Sequence, residues 1–236
     1  MANPAELLHA QLLSWRTNGD LVDNRGLAQQ AGWDNMRKAA VNLDNCMKLL
    51  AEMRESGHQT GAWEAYITSL HKSVFGWGVS WSGAGQSDGG VDIHALNSLQ
   101  SLAAFVNLYV PRLEDDGLAK LSDMLTSEVL DVETGNYPPE LTMYFLRVKA
   151  HLEWCITNFD DYGEFLLHDA MQQFKMTVAF MATQAPDESE RESWAEFLRE
   201  KFVWPFVTSV VTTGPAAVAS SAFKDSVLKA IEMLGP

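Results

Sequence analysis

The sequence predicts an all-α protein, a multi-helix bundle of about ten helices with a glycine- and tryptophan-rich loop between two of them. Apolar residues recur at helical spacing along most of the chain, and prolines, glycines and capping residues separate these stretches. The sequence shows neither a series of alternating strands nor an internal repeat of fixed period. We therefore treat residues 1–236 as a single helical domain. The alternatives are a loose subdivision into 1–75 and 92–236 at the glycine-rich loop, or a division near Pro138.

Capping signals and apolar periodicity place five helices in the first part of the chain. An Asn or Asp before a helix can accept hydrogen bonds from the free backbone N–H groups, and proline is tolerated at the first helical position. The long helix would bury one apolar face. In order, we predict a helix opening at Asn3-Pro4, a turn at Asn18-Gly19-Asp20, a short helix over Arg25–Ala31, a long helix over Asp34–Ser56 with Met36, Ala40, Leu43, Met47 and Leu50 on its buried face, a helix capped by Thr60 and another capped by Asp92.

The same signals place five further helices in the rest of the chain. Proline pairs and aspartates mark their starts, and glycine or proline separates them. We predict a helix over Glu114–Leu130, a long amphipathic helix starting at Pro138-Pro139, a helix capped by Asp160 or Asp161 and running to about Met181, a charged helix starting at Pro186-Asp187, and a final helix after Gly214-Pro215 that ends near Leu234.

The charge of the chain is strongly acidic, with 17 basic and 31 acidic side chains and a formal net charge of -14. An acidic surface repels the phosphates of nucleic acids, whereas it favours a cationic partner surface or a bound metal ion. The two cysteines, Cys46 and Cys155, lie in apolar helical patterns, which is typical of buried reduced thiols in a cytoplasmic protein. The N-terminal residues also lack the pattern of a secretory signal.

The glycine-rich stretch Gly76–Gly90 is the most unusual segment, with six glycines, two tryptophans and one charged residue. It lacks the Gly-Lys-Ser/Thr ending of a phosphate-binding loop. Its tryptophans either pack into the core or present aromatic side chains to a partner, since long loops in compact domains are often functional. On the second interpretation, Trp77, Val79 and Trp81 form the partner-binding site.

The segment Phe202–Phe223 contains no charged residue and is long enough to cross a bilayer. Pro205, Gly214 and Pro215 interrupt it, and Ser, Thr and Ala dilute its hydrophobicity, so membrane insertion is disfavoured. A buried helix or an oligomer interface explains the segment better. A membrane-active effector is the alternative.

His168-Asp169, within a predicted helix, resembles the His-Asp doublet of HD-domain phosphohydrolases. Members of that family are all-helical and hold divalent metals through an upstream His, the doublet and a distant Asp. The resemblance implies a metal set of His151, His168, Asp169 and Asp225, because imidazole and carboxylate are suitable ligands for Mn, Fe or Zn. His151 is closer to the doublet than the family pattern requires, so the resemblance covers the doublet alone.

Asp160-Asp161, with Glu164 three residues further on, resembles the DDxxE motif of class I terpene synthases. Such carboxylates hold Mg²⁺ against a diphosphate in that family. The second metal motif of the family is missing downstream, and an acidic start to a helix explains the two aspartates equally well.

From these observations we expect a non-enzymatic interaction protein, an accessory or regulatory subunit that oligomerises or binds a protein partner and needs no cofactor. A metal-dependent phosphohydrolase is the alternative, and it would use the four residues of the HD-like set with a divalent metal. No catalytic motif of the sequence meets its own spacing requirement.

Overall fold

The computed structural model describes residues 3–78, 80–81, 87–107, 111–132 and 136–207, and these residues confirm the all-α class. Two short strands are described, and they pair antiparallel with Arg112 opposite Val207. The elements are α1 (Pro4–Trp15), α2 (Leu21–Asn24), α3 (Gln30–Glu55), α4 (Gly61–Glu64), α5 (Ile67–Phe75), α6 (Ile93–Val106), β1 (Arg112–Leu113), α7 (Gly117–Leu125), α8 (Pro139–Thr157), α9 (Phe159–Thr183), α10 (Glu188–Glu196) and β2 (Phe206–Val207).

The contacts divide the chain into two compact units. The first unit is Met1–Val110 together with Asp160–Phe165, and the second is Pro111–Phe159 together with Leu166–Pro236. The glycine-rich stretch therefore belongs to the first unit. The start of α9 also belongs to the first unit, although the rest of that helix belongs to the second.

The first unit packs α1 against α3 and α6, with α5 alongside. Leu8, Leu12, Leu43 and Val74 are fully buried in its core. The predicted start of α1 is confirmed, because the Asn3 side chain accepts hydrogen bonds from the backbone of Ala5 and Glu6, both at 3.0 Å. The Glu6 carboxylate in turn accepts from the Asn3 backbone N–H, which completes a capping box.

Two predictions for the first unit are wrong in detail. The short helix expected over Arg25–Ala31 is not formed, because α2 ends at Asn24 and Gly26 takes a positive φ of 63°. Residues 25–29 form a turn, and the last two residues of the expected helix already belong to α3. The long helix begins earlier than expected, at Gln30, and one residue of its predicted face is not buried. Leu43 and Leu50 are buried as predicted, and Met36 and Ala40 pack partly buried against the same core. Met47 is exposed, whereas Cys46 and Leu49 are buried.

The segment Asp160–Phe165 completes the first unit from far along the chain. The Lys38 ammonium lies 2.6 Å from a carboxylate oxygen of Asp161, and the Asn42 amide donates to the Asp161 carbonyl at 3.3 Å. Phe165 is buried in the core of this unit, with the Lys48 ammonium 5.8 Å from its ring centroid. The segment therefore contributes both to the surface charge pairs and to the core.

The second unit is built around aromatic side chains of α8, α9 and α10. The Phe145 ring packs 6.2 Å from that of Phe174 and 5.8 Å from that of Trp194. The Trp194 indole N–H donates to the Tyr137 hydroxyl at 2.7 Å, so the polar edge of this buried ring is satisfied. Burial of the Tyr137 side chain raises the pKa of its phenol well above the usual value.

Helix starts in the second unit are partly as predicted. The long helix starting at Pro138-Pro139 is confirmed as α8, and Asp187 caps α10 by accepting from the Glu190 N–H at 2.9 Å. The helix expected over Glu114–Leu130 is shorter, because α7 ends at Leu125 and a separate 3-10 turn covers Glu128–Leu130.

Both cysteines are free and buried, as the sequence predicts. Burial raises the pKa of both thiols, that of Cys155 to about 12. In the described part of the chain no helix is long and apolar enough to cross a bilayer. Of the charge-poor segment Phe202–Phe223, residues 208–223 lie outside the described residues, as does the predicted final helix.

Candidate interaction surface

Three tryptophan side chains of the first unit are exposed to solvent. Trp77 is 76% exposed, Trp33 is 45% exposed and Trp81 is 42% exposed. Trp77 and Trp81 come from the glycine-rich stretch, whereas Trp33 lies at the start of α3. The alternative that the two tryptophans of the stretch pack into the core is therefore wrong. We call Trp33, Trp77 and Trp81 together the tryptophan surface. Val79, the third residue of the predicted partner-binding site, lies outside the described residues.

Trp33 and Trp81 form a stacked pair that the backbone holds in place. Their ring centroids are 6.4 Å apart, with an angle of 27° between the ring planes. The Trp33 indole N–H donates to the Leu27 carbonyl at 2.9 Å, and the Trp81 carbonyl accepts from the Val22 N–H at 3.2 Å. The polar edge of Trp33 is thus already satisfied, and its exposed ring surface is available for apolar contact.

Trp77 follows α5 through a left-handed glycine. Gly76 has φ 67° and ψ 29°, and the N–H of Trp77 donates to the Lys72 carbonyl at 3.2 Å. A Cβ atom at Gly76 would lie only 2.6 Å from a methyl carbon of Leu21. Both the backbone angle and the lack of space therefore require glycine at the point where the chain leaves α5 towards Trp77.

Charged side chains lie close in sequence to the residues that hold the stacked pair. Asp23 is exposed and follows Val22, the residue that binds the Trp81 carbonyl. The cations that follow Trp33 in α3 are already paired, since Arg37 lies 2.5 Å from Asp34 and Lys38 is paired with Asp161. The two cations nearest to Trp33 in α3 are therefore neutralised by ion pairs.

The predicted metal residues are not assembled into a metal site in the part of the chain that the structure describes. No group of three or more His, Cys, Asp or Glu side chains there could hold a metal ion. The Nε2 atom of His151 is 3.8 Å from the Cys155 sulfur, and the Asp169 carboxylate accepts a hydrogen bond from Gln173 at 3.3 Å. Asp225, the fourth predicted ligand, lies outside the described residues.

His168, the histidine of the doublet, lies in an aromatic pocket of the second unit. Its ring is edge-on to those of Trp204 and Phe206, with centroid distances of 5.5 and 5.1 Å. Its Nε2 atom is buried and has no hydrogen-bond partner among the described residues. Burial lowers the pKa of His168 to about 4; the Asp169 carboxylate opposes this shift, and the nearby Lys175 ammonium adds to it. The imidazole is therefore neutral at pH 7.

The two aspartates of the DDxxE-like motif lie at the start of α9. They lie in the first turn of α9, and the cap position is Asn158, so the prediction that one of them caps the helix is wrong. Asp161 is paired with Lys38. Gly163, with φ 70° and ψ -168°, breaks the helix between the aspartates and Glu164. The three carboxylates therefore do not share one continuous helix.

Two residues that matter for the tryptophan surface were not predicted from the sequence. Trp33 directly precedes the predicted long helix, and nothing in the local sequence indicates that its ring is exposed. Arg25 stood in a predicted short helix, and arginine is mostly a surface residue, yet it is only 3% exposed. Only the three-dimensional contacts could identify either of them.

No protein-family model matches this chain, and neither a curated protein nor a solved structure matches it significantly.

Proposed function

We propose that this chain is a non-enzymatic helical interaction protein, an accessory or regulatory subunit that binds a protein partner through the tryptophan surface. The observation that carries the proposal is the stacked pair of Trp33 and Trp81, which is exposed although hydrogen bonds of both residues hold it in place. Rings that are already ordered lose little conformational entropy on binding. Tryptophan is also the residue type most often found at binding hot spots.

The charge of the chain supports a partner with an apolar groove bordered by basic residues. A second copy would bring together two chains of net charge -14 each, which repel one another. A basic partner would instead be attracted by the net negative charge of the chain, and its association would weaken at high salt. Self-association is the alternative outcome of the experiment below.

The proposal includes a cytoplasmic location. Cys46 and Cys155 are both free thiols, and free thiols persist in reducing compartments.

The test compares a Trp77→Ala/Trp81→Ala double variant with wild type in two measurements. The first is quantitative capture of proteins from the source cells with the full chain as bait. The second is the molar mass in solution by light scattering. Trp154→Ala is the matched control, because Trp154 is 43% exposed, similar to Trp81, but belongs to the second unit.

The expected result is a defined captured protein that the double variant loses and the control retains, with capture that decreases as salt is raised. A wild-type dimer that becomes monomeric only in the double variant would establish self-association instead. Identical capture and identical mass for all three proteins would refute the proposed surface.

A further inference from the structure

We propose that Arg25 is the positioning residue of the tryptophan surface, because its buried guanidinium joins the turn that holds Trp33 and Trp81 to the helix end that leads to Trp77. This inference rests on the proposed function for its biological meaning. Its structural part can be tested without any partner.

The Arg25 guanidinium is enclosed by groups that suit a cation. One terminal nitrogen, Nη2, donates to the Ser73 carbonyl at 2.6 Å. The other, Nη1, donates to the Val74 carbonyl and lies 3.1 Å from the Met36 sulfur. The Cζ atom is 4.6 Å from the centroid of the Trp15 ring, which is a cation–π contact. These contacts hold the charged group in one orientation.

The two carbonyls belong to the last turn of α5. Carbonyl groups at this end of a helix have no partner within the helix, and the helix dipole favours a positive charge there. α5 ends at Phe75, and Trp77 follows through Gly76. Arg25 thus fixes the helix end from which the chain continues to the most exposed tryptophan.

The turn that contains Arg25 also holds the stacked pair. The Val22 N–H binds the Trp81 carbonyl, and the Leu27 carbonyl binds the Trp33 indole. The Leu27 N–H donates to the Val22 carbonyl at 2.9 Å, which closes the turn around Arg25. A single segment, residues 22–27, therefore contacts both stacked tryptophans and, through Arg25, the end of α5.

Arginine suits this position better than lysine. A forked guanidinium can donate to two carbonyls at once and stack on an aromatic ring, whereas an ammonium is a point charge on a flexible stem. Burial lowers the pKa of Arg25 to about 10, so the side chain still carries its charge at neutral pH. Lysine would keep the charge but lose the fork.

The experiment measures the exciton couplet that two stacked indoles produce in circular dichroism. Trp81→Phe assigns the part of the couplet that belongs to the Trp33–Trp81 pair. Arg25→Met and Arg25→Lys are then compared with Arg54→Met. Arg54 is an exposed arginine of α3 that pairs with Glu64 at 3.2 Å and is therefore a matched control.

We expect Arg25→Met to lose most of the assigned couplet while it keeps its helical content. Arg25→Lys should lose part of the couplet, and Arg54→Met should keep all of it. A folded Arg25→Met with the full couplet would overturn the positioning role. If Arg25→Met does not fold, Arg25→Lys decides, and a full couplet in that variant likewise overturns the role.

Partner capture separates this inference from the proposed function. A couplet lost in Arg25→Lys together with weaker capture supports both. A couplet lost with capture unchanged supports the positioning role and contradicts the proposed surface. An unchanged couplet and unchanged capture in Arg25→Lys, with capture lost in the Trp77→Ala/Trp81→Ala variant, contradicts the positioning role alone.

Discussion

Replacing His168 by glutamine should make the stability of the second unit less sensitive to acid. The imidazole is enclosed by Trp204 and Phe206 and has no hydrogen-bond partner for Nε2 among the described residues. Protonation in the folded state would place a charge in this pocket. Glutamine is of similar size and has no proton to gain in this pH range.

The sign and size of the effect follow from the lowered pKa. Burial holds the pKa of His168 at about 4 in the folded chain, against an ordinary value of 6.5. Below pH 6.5 the unfolded chain binds a proton that the folded chain does not, so stability is highest above 6.5 and decreases as the pH falls towards 4. Between pH 7 and pH 5 this single group should lower the free energy of unfolding by about 2 kcal/mol.

The assay is urea unfolding of wild type and His168→Gln at pH 7, 6 and 5, followed by circular dichroism. The free energy of unfolding of the variant should fall by about 2 kcal/mol less than that of wild type between pH 7 and 5. His151→Gln removes another histidine of the same unit and leaves the aromatic pocket intact, so it is the matched control for the loss of one imidazole. Parallel curves for wild type and His168→Gln would refute the reasoning.

Three further predictions concern stability and thiol chemistry. Asn3→Ala removes the capping box of α1 and should lower the free energy of unfolding by about 1–2 kcal/mol, measured by urea unfolding; an unchanged midpoint would contradict the cap. Gly76→Ala forces alanine into a positive φ with no room for its Cβ, so it should cost about 1–3 kcal/mol. Gly61→Ala is its control, since the added methyl group meets no atom within 4 Å, and equal losses in thermal unfolding would count against the argument. The buried thiols of Cys46 and Cys155 should react with a disulfide reagent only in denaturant, and rapid reaction of the native protein would show that at least one is accessible.

The sequence predicted the helix starts that depend on a neighbouring side chain. Asn3, Asp92 and Asp187 each accept a hydrogen bond from the backbone of the helix that they precede. The interaction joins residues two or three positions apart, so the local sequence contains all the information needed. The sequence also predicts that Asp160 or Asp161 caps α9, but the cap position is Asn158. The Asp161 carboxylate pairs with Lys38 instead, and such a long-range partner leaves no local signal.

The candidate surface was predictable only in part. Trp77 and Trp81 stood out because large aromatic residues are unusual among so many glycines. The exposure of Trp33 depends on which other segments cover the start of α3, and this cannot be read from helical periodicity. The burial of Arg25 could not be predicted for a related reason, because its hydrogen-bond acceptors are the backbone carbonyls of Ser73 and Val74. Every residue has a backbone carbonyl, so the sequence does not show which carbonyls accept hydrogen bonds from Arg25.

The first unit also sets an order for folding during synthesis. Asp161 and Phe165 belong to this unit, so a chain that has been translated only as far as residue 110 lacks the partner of Lys38 and part of its core. The core of the first unit therefore stays incomplete, with that part of its apolar surface exposed, until residue 165 has left the ribosome exit tunnel. By then the α8 sequence of the second unit has already emerged, so neither unit can be completed before part of the other has been made.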